Sequence, residues 1–206
     1  MRPAGTGAPE VPLLPGELDR PAAPPARSRR VAEAVAAARR ILEEEGAPGL
    51  TMRRLADEMG IRAPSLYKHF SGKADLELLL IEDALFDVGE ATHRALHPSG
   101  HESPLLNLLL TYRVHSLARP NLYRLATNGP LARQRLPEGL EEWAGNPWFV
   151  VTGDPSLAQA LWSLAHGMVI LELDDRYPRG SDLELTWRAG AAAFERAADV
   201  GRAGTP

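Results

Sequence analysis

Apolar residues Val31, Ala34, Val35, Ala38, Ile41 and Leu42 recur at steps of three and four, one stripe at the helical period. That pattern predicts a helix over 27–45, opened by Ser28 and stopped by Gly46 and Pro48. Two shorter helices are expected at 52–59 and 63–70. Thr51 caps the first, Gly60 breaks it, and Pro64 suits the first turn of the second, where its missing N–H costs nothing. A long helix follows, with Leu76, Leu79, Leu80, Ala84, Leu85 and Val88 on one side, and should end near Leu96 before Pro98 and Gly100. Further helices are expected over 104–118, 120–126, 155–173 and 182–200, the last capped by Ser181 or Asp182. The stretch 133–153 holds Pro137, Gly139, Gly145, Pro147 and Gly153 and predicts a short helix or two with loops. No alternating strand pattern occurs, so the expected fold is all-α with nine or ten helices.

Composition divides the chain. Residues 1–26 contain seven Pro and three Gly with few bulky apolar groups, which predicts a disordered Pro/Ala-rich tail. Residues 27–73 carry ten Arg/Lys against six Asp/Glu, while residues 74–206 carry eleven Arg against eighteen acids. A basic module on an acidic body suggests a polyanion site at one end, although the whole chain has a net charge of −4. The chain has no cysteine, which excludes disulfides, thiolate zinc sites, iron–sulfur clusters and a cysteine nucleophile. The N-terminus lacks an apolar run, and the charge-free stretch from Pro155 to Leu171 is shorter than the roughly 20 residues of a membrane span. A cytoplasmic protein without membrane contact is expected.

Two short helices joined by a tight turn after a longer one make a helix-turn-helix. Gly60 supplies the left-handed turn, Ile61 pins the pair, and Ala56 allows a close crossing. Leu66 and Phe70 face the three-helix core. The run from Gly49-Leu50-Thr51 through Leu55-Ala56, Gly60-Ile61, Ser65-Leu66-Tyr67 and His69-Phe70 to Lys73 and Leu76 resembles the DNA-binding domain of tetracycline-repressor (TetR) family regulators. The resemblance implies an all-helical homodimer: a helix-turn-helix domain over 27–75 and a larger effector-binding and dimerisation domain over 76–206. It implies a regulator, most often a repressor, that holds a palindromic double-stranded operator until a small molecule binds. By position, Thr51, Tyr67, His69 and Lys73 would meet phosphates. Arg53, Arg62, Ala63, Pro64, Ser65 and Lys68 would lie where base edges are read.

The run Leu161 to Leu173, with Trp162, His166 and Gly167, is similar to the WHG-type C-terminal domain of some of these regulators. That similarity implies that the last two long helices pair across a two-fold, with Leu161, Leu164, Met168, Val169, Leu173, Ala189 and Ala193 as interface candidates. Burial in a monomer core is the alternative. Candidate effector-pocket liners are Tyr112, His115, Tyr123, Trp143, Trp148, Phe149, Trp162 and His166; each could equally be ordinary core. Arg113 and Arg124 could meet an anionic effector.

Other classes of function fit less well. No nucleophile elbow or phosphate-cradling glycine loop occurs, so no enzyme activity and no cofactor are expected. His93, His97 and His101 are spaced by four, but Pro98, Ser99 and Gly100 interrupt the helix, so no metal site is expected. An architectural, low-specificity DNA-binding protein without an effector is the alternative reading.

Overall fold

The computed structural model describes residues 16–22 and 26–203. Nine α-helices and one 3-10 turn make up the described residues, with no strand among them. The helices are α1 Arg29–Gly49, α2 Met52–Glu58, α3 Ala63–Leu66, α4 Lys73–Ala95, α5 Pro104–Leu117, α6 Pro120–Thr127, α7 Leu140–Thr152, α8 Pro155–Leu173 and α9 Leu183–Ala203. Side-chain oxygens open many of them. Ser28, Thr51, Ser103, Asp154 and Asp182 each accept from a backbone N–H three residues on, satisfying a group the helix leaves unpaired.

The first core joins α1, α2, α3 and the start of α4. Ile41, Leu42, Leu50, Leu55, Leu66, Leu76 and Leu80 are sealed within it, and Leu122 of α6 completes it from the body. A second core gathers α5, α7, α8 and α9 around Leu108, Leu109, Leu161, Val169 and Trp187. A third, smaller cluster, Phe86, Leu140, Trp143 and Ala144, holds α4 to α7. Helix α4 therefore belongs to both ends of the molecule.

Three expectations need correction. Regular α-helix in α3 covers only Ala63–Leu66, and residues 67–69 complete the path to Phe70 as turn. The stretch 133–153 holds the 3-10 turn Arg133–Arg135, a loop and the 13-residue helix α7, in keeping with a short helix or two with loops, but α7 runs through Pro147 instead of breaking there. Proline removes the bond to the carbonyl four residues back, that of Trp143, and that oxygen instead accepts from His93 Nε2 at 2.9 Å. Residues 16–22, expected to be disordered, are packed: Leu18 N–H donates to Asn146 Oδ1 at 2.9 Å, and Asn146 Nδ2 donates to the Gly16 carbonyl at 2.8 Å. The remaining tail residues, 1–15 and 23–25, lie outside the described residues. Helix α8 spans 19 residues and is long and apolar enough to cross a membrane by length and composition.

Candidate nucleic-acid interface

Helices α2 and α3 form the leading edge of the N-terminal head. Gly60 sits at φ +64° between them, where a side chain would strain the turn. The Ile61 N–H donates to the Ala56 carbonyl at 3.0 Å and closes it. Thr51 Oγ1 accepts from Arg54 N at 3.1 Å, leaving the hydroxyl hydrogen free to point outward. Thr51→Ala should destabilise the protein by about 1 kcal/mol, measured by denaturant unfolding.

All ten residues expected to meet DNA fall on or beside this edge. Thr51, Arg53, Arg62, Pro64, Tyr67, Lys68 and His69 are exposed, and Ala63, Ser65 and Lys73 are half-buried. Tyr67 is 55% exposed, too open for a core residue. Charge pairing separates the cations of the head. Arg27, Arg29, Arg30, Arg39, Arg40 and Arg54 each pair with a carboxylate. Arg53, Arg62 and Lys68 hold no ion pair among the described residues; Arg53 lies on α2, Arg62 in the turn before α3 and Lys68 in the turn after it. Lys73 is engaged: its Nζ donates to the Ala47 carbonyl at 2.9 Å and lies 3.3 Å from Glu77.

Asp75 escaped the sequence reading. Its carboxylate accepts from the backbone N–H of Ser71 at 2.7 Å and from the Ser71 hydroxyl, and pairs with Arg135 at 2.6 Å. These bonds hold its pKa down to about 2 and fix the turn into α4 that presents Lys73. The Ser-x-x-x-Asp spacing at a helix start was the available signal. Glu43 was missed too. Its carboxylate caps α6 by accepting from Leu122 N at 2.8 Å and Asn121 N at 3.3 Å, so α1 of the head is bonded to α6 of the body.

In the body, five of the eight expected pocket liners converge. The Trp162 ring stacks on His166 at 5.8 Å, and the Tyr112 and Tyr123 hydroxyls are 3.1 Å apart. Tyr123 Oη lies 2.7 Å from His166 Nδ1, and Trp148 meets the Tyr112 ring edge-on. Burial pushes both phenols up and His166 down, so Tyr123 donates and neutral His166 accepts. The other three lie elsewhere. His115 sits beside Arg119 and Asp87, Trp143 packs on His93 and Phe86, and Phe149 lies against Gly16. Arg113 is held by Glu172 and Glu184, and Arg124 by Asp174. The larger described cavity, about 530 Å³, runs along α1 beside Arg39, Arg40, Asp83 and Arg119, away from the aromatic cluster.

Among the interface candidates, Leu161, Met168 and Val169 are buried within a single chain, the last completely. They are core, because their side of α8 faces α5 and α7. Leu164 and Leu173 are half-buried, and Ala189 and Ala193 are exposed on α9.

Residues 34–78 match the profile of the bacterial regulatory proteins of the tetR family. These residues form a tetR-family helix-turn-helix domain. The HTH-type regulator Rv0681 of Mycobacterium tuberculosis is 28% identical over 142 residues, covering 64% of this chain and 65% of its own length. The HTH-type transcriptional repressor DrrR1 of Streptomyces coeruleorubidus is 26% identical over 196 residues, covering 89% of this chain and 69% of its own. The chain thus spans about two thirds of the length of these relatives. Among solved structures, a TetR variant from Acinetobacter baumannii in complex with minocycline superposes with a TM-score of 0.55 at 26% identity, over 80% of this chain and 95% of that one. The regulator SCO7222 of Streptomyces coelicolor, at 20% identity and a TM-score of 0.58 over 84% of this chain and 97% of its own, shares the fold. Arg53, Arg62 and Lys68, without an ion pair among the described residues, therefore lie within the stretch that matches the tetR-family profile.

Proposed function

We propose that this protein is a cytoplasmic, ligand-responsive transcriptional repressor that grips a palindromic operator as a homodimer and lets go when a small molecule binds its body. The observation that carries the reading is the placement of Arg53, Arg62 and Lys68. The cations of α1 are neutralised, whereas these three have no ion-pair partner among the described residues and stand on the exposed helix-turn-helix edge. Unpaired guanidinium and ammonium groups on a helix that fits a major groove are suited to guanine O6 and N7. Thr51, Tyr67, His69 and Lys73 surround that edge and suit phosphate oxygens, with Lys73 exchanging the Ala47 carbonyl for one of them. Ala63, Pro64 and Ser65 open the second helix at groove depth.

The similarity of Leu161–Leu173 to WHG-type domains supports a body that pairs through α8 and α9. Trp162, Leu171 and Leu185 are exposed there, and Ala189 and Ala193 permit close approach. Tyr112, Tyr123, Trp148, Trp162 and His166 would receive the effector, by parting rather than by lining a standing cavity. Minocycline in the Acinetobacter relative supports an effector of small-molecule size.

Selection of bound sites from random double-stranded DNA, repeated with candidate metabolites, tests the reading. A single inverted repeat should emerge and be lost with one class of metabolite. Binding that depends on salt but shows no sequence preference would mean an architectural protein instead. Tyr67→Phe and Lys73→Ala should each weaken binding to specific and random DNA alike, by roughly 3- to 10-fold, and lower the salt slope by up to about 1. A changed sequence preference at unchanged affinity would reject their phosphate role.

A further inference from the structure

The segment 16–22 has no regular secondary structure, yet it is fixed along α4 and α7. Arg20 pairs with Glu90 at 3.0 Å and lies 4.7 Å over the Phe86 ring. Glu17 is inserted more deeply, its side chain only 5% exposed. One carboxylate oxygen lies 3.1 Å from His93 Nδ1 and the other 3.2 Å from His97 Nε2.

His93 decides the chemistry. Its Nε2 faces the Trp143 carbonyl at 2.9 Å, the oxygen that Pro147 leaves without a helical partner. A carbonyl can only accept, so Nε2 carries a hydrogen. A neutral imidazole has one N–H, and Nδ1 would then turn a lone pair toward the Glu17 carboxylate. The contact closes only when one further proton is shared between Nδ1 and Glu17. His97 makes no such demand, because it donates through Nε2 while neutral. Among the described residues, the charged groups around the pair include Glu17 and Arg20 from the segment, Glu90 from α4 and His97 just beyond its end. Arg94, also on α4, acts on His115, and α7 offers the Trp143 carbonyl and ring.

We propose that residues 16–22 are a proton-held latch, docked on the α4–α7 seam while His93 and Glu17 share a proton and released when it leaves. The docked state binds the proton more tightly than the free one. Docking is therefore favoured while the shared proton is present and weakens when it leaves. Release uncovers Phe86 and Trp143 and removes a tether that lies just ahead of α1 in the chain.

The chain has no cysteine, so Leu18→Cys in the full-length protein takes a nitroxide at one site, on a side chain 45% exposed. Its mobility by electron paramagnetic resonance reports docking. The docked-to-released ratio should fall as pH is raised, by at most about tenfold per pH unit for one linked proton. Added Glu17→Gln should flatten the trend, because its amide can donate to neutral Nδ1 or, turned over, accept from imidazolium. Added His97→Gln should keep the original trend. A label indifferent to pH at constant circular dichroism, a Glu17→Gln protein that still releases as pH rises, or a His97→Gln protein without response would each overturn the latch.

Discussion

Gly89→Ala should lower stability by about 3 kcal/mol and the melting temperature by roughly 6–12 °C, although alanine favours helix by about 1 kcal/mol. A β-carbon at Gly89 would lie 2.3 Å from one atom of the Trp143 indole and 2.8 Å from two others. The ring has nowhere to retreat. His93 stacks on it at 4.9 Å with an interplanar angle of 11°, and Phe86 packs at 6.1 Å. Relief requires α7 to move off α4, opening the cluster that joins them. Thermal unfolding by circular dichroism measures the loss. Trp143→Leu in the same chain should recover part of it, since a smaller side chain yields the space. A Gly89→Ala protein that melts with the parent would mean that the two helices do not meet there.

The helical pattern was legible where one face of a helix meets one core. The stripe from Val31 to Leu42 and the turn at Gly60 needed only local periodicity and local backbone freedom, and both emerged as read. What stayed hidden depends on partners distant in sequence. Pro147 reads as a breaker, but the freed Trp143 carbonyl finds His93, 50 residues away, and the helix continues. Residues 16–22 read as disordered because they have no apolar stripe. They are ordered by an amide, two imidazoles and an aromatic face supplied by α4, α7 and His97 just past the end of α4. The edge that would meet DNA was legible as residue types at fixed spacing. Which of its cations are free was not, because the ion pairs of Arg39 and Arg27 run to α4, some 50 residues on. The pocket was the least legible part, since an aromatic residue suits a core and a ligand equally.

On the proposed homodimer, Leu171→Glu combined with Leu185→Glu should yield folded monomers and weaken binding to the proposed operator by about 10²–10⁴-fold, as the second head loses its tether. Both side chains are exposed, 42% and 64%, so a single chain can hydrate the new carboxylates at little cost. The surface they belong to is large and apolar. Only 28% of the most apolar stretch of α8 is buried within one chain, and Trp162 stands out beside it at 44% exposure. A helix with so little cover requires something else to bury it, and a second copy meeting it across a two-fold presents the same apolar surface in return. Val169→Glu makes the contrast. Val169 is fully enclosed by its own chain, so the buried charge should unfold the protein rather than divide a dimer. Sedimentation of the double variant at micromolar concentration, beside its circular dichroism spectrum, separates the two outcomes. A double variant that sediments as the parent does would place the pairing surface off this part of α8 and α9, and the half-site spacing expected from two heads on one bundle would fall with it.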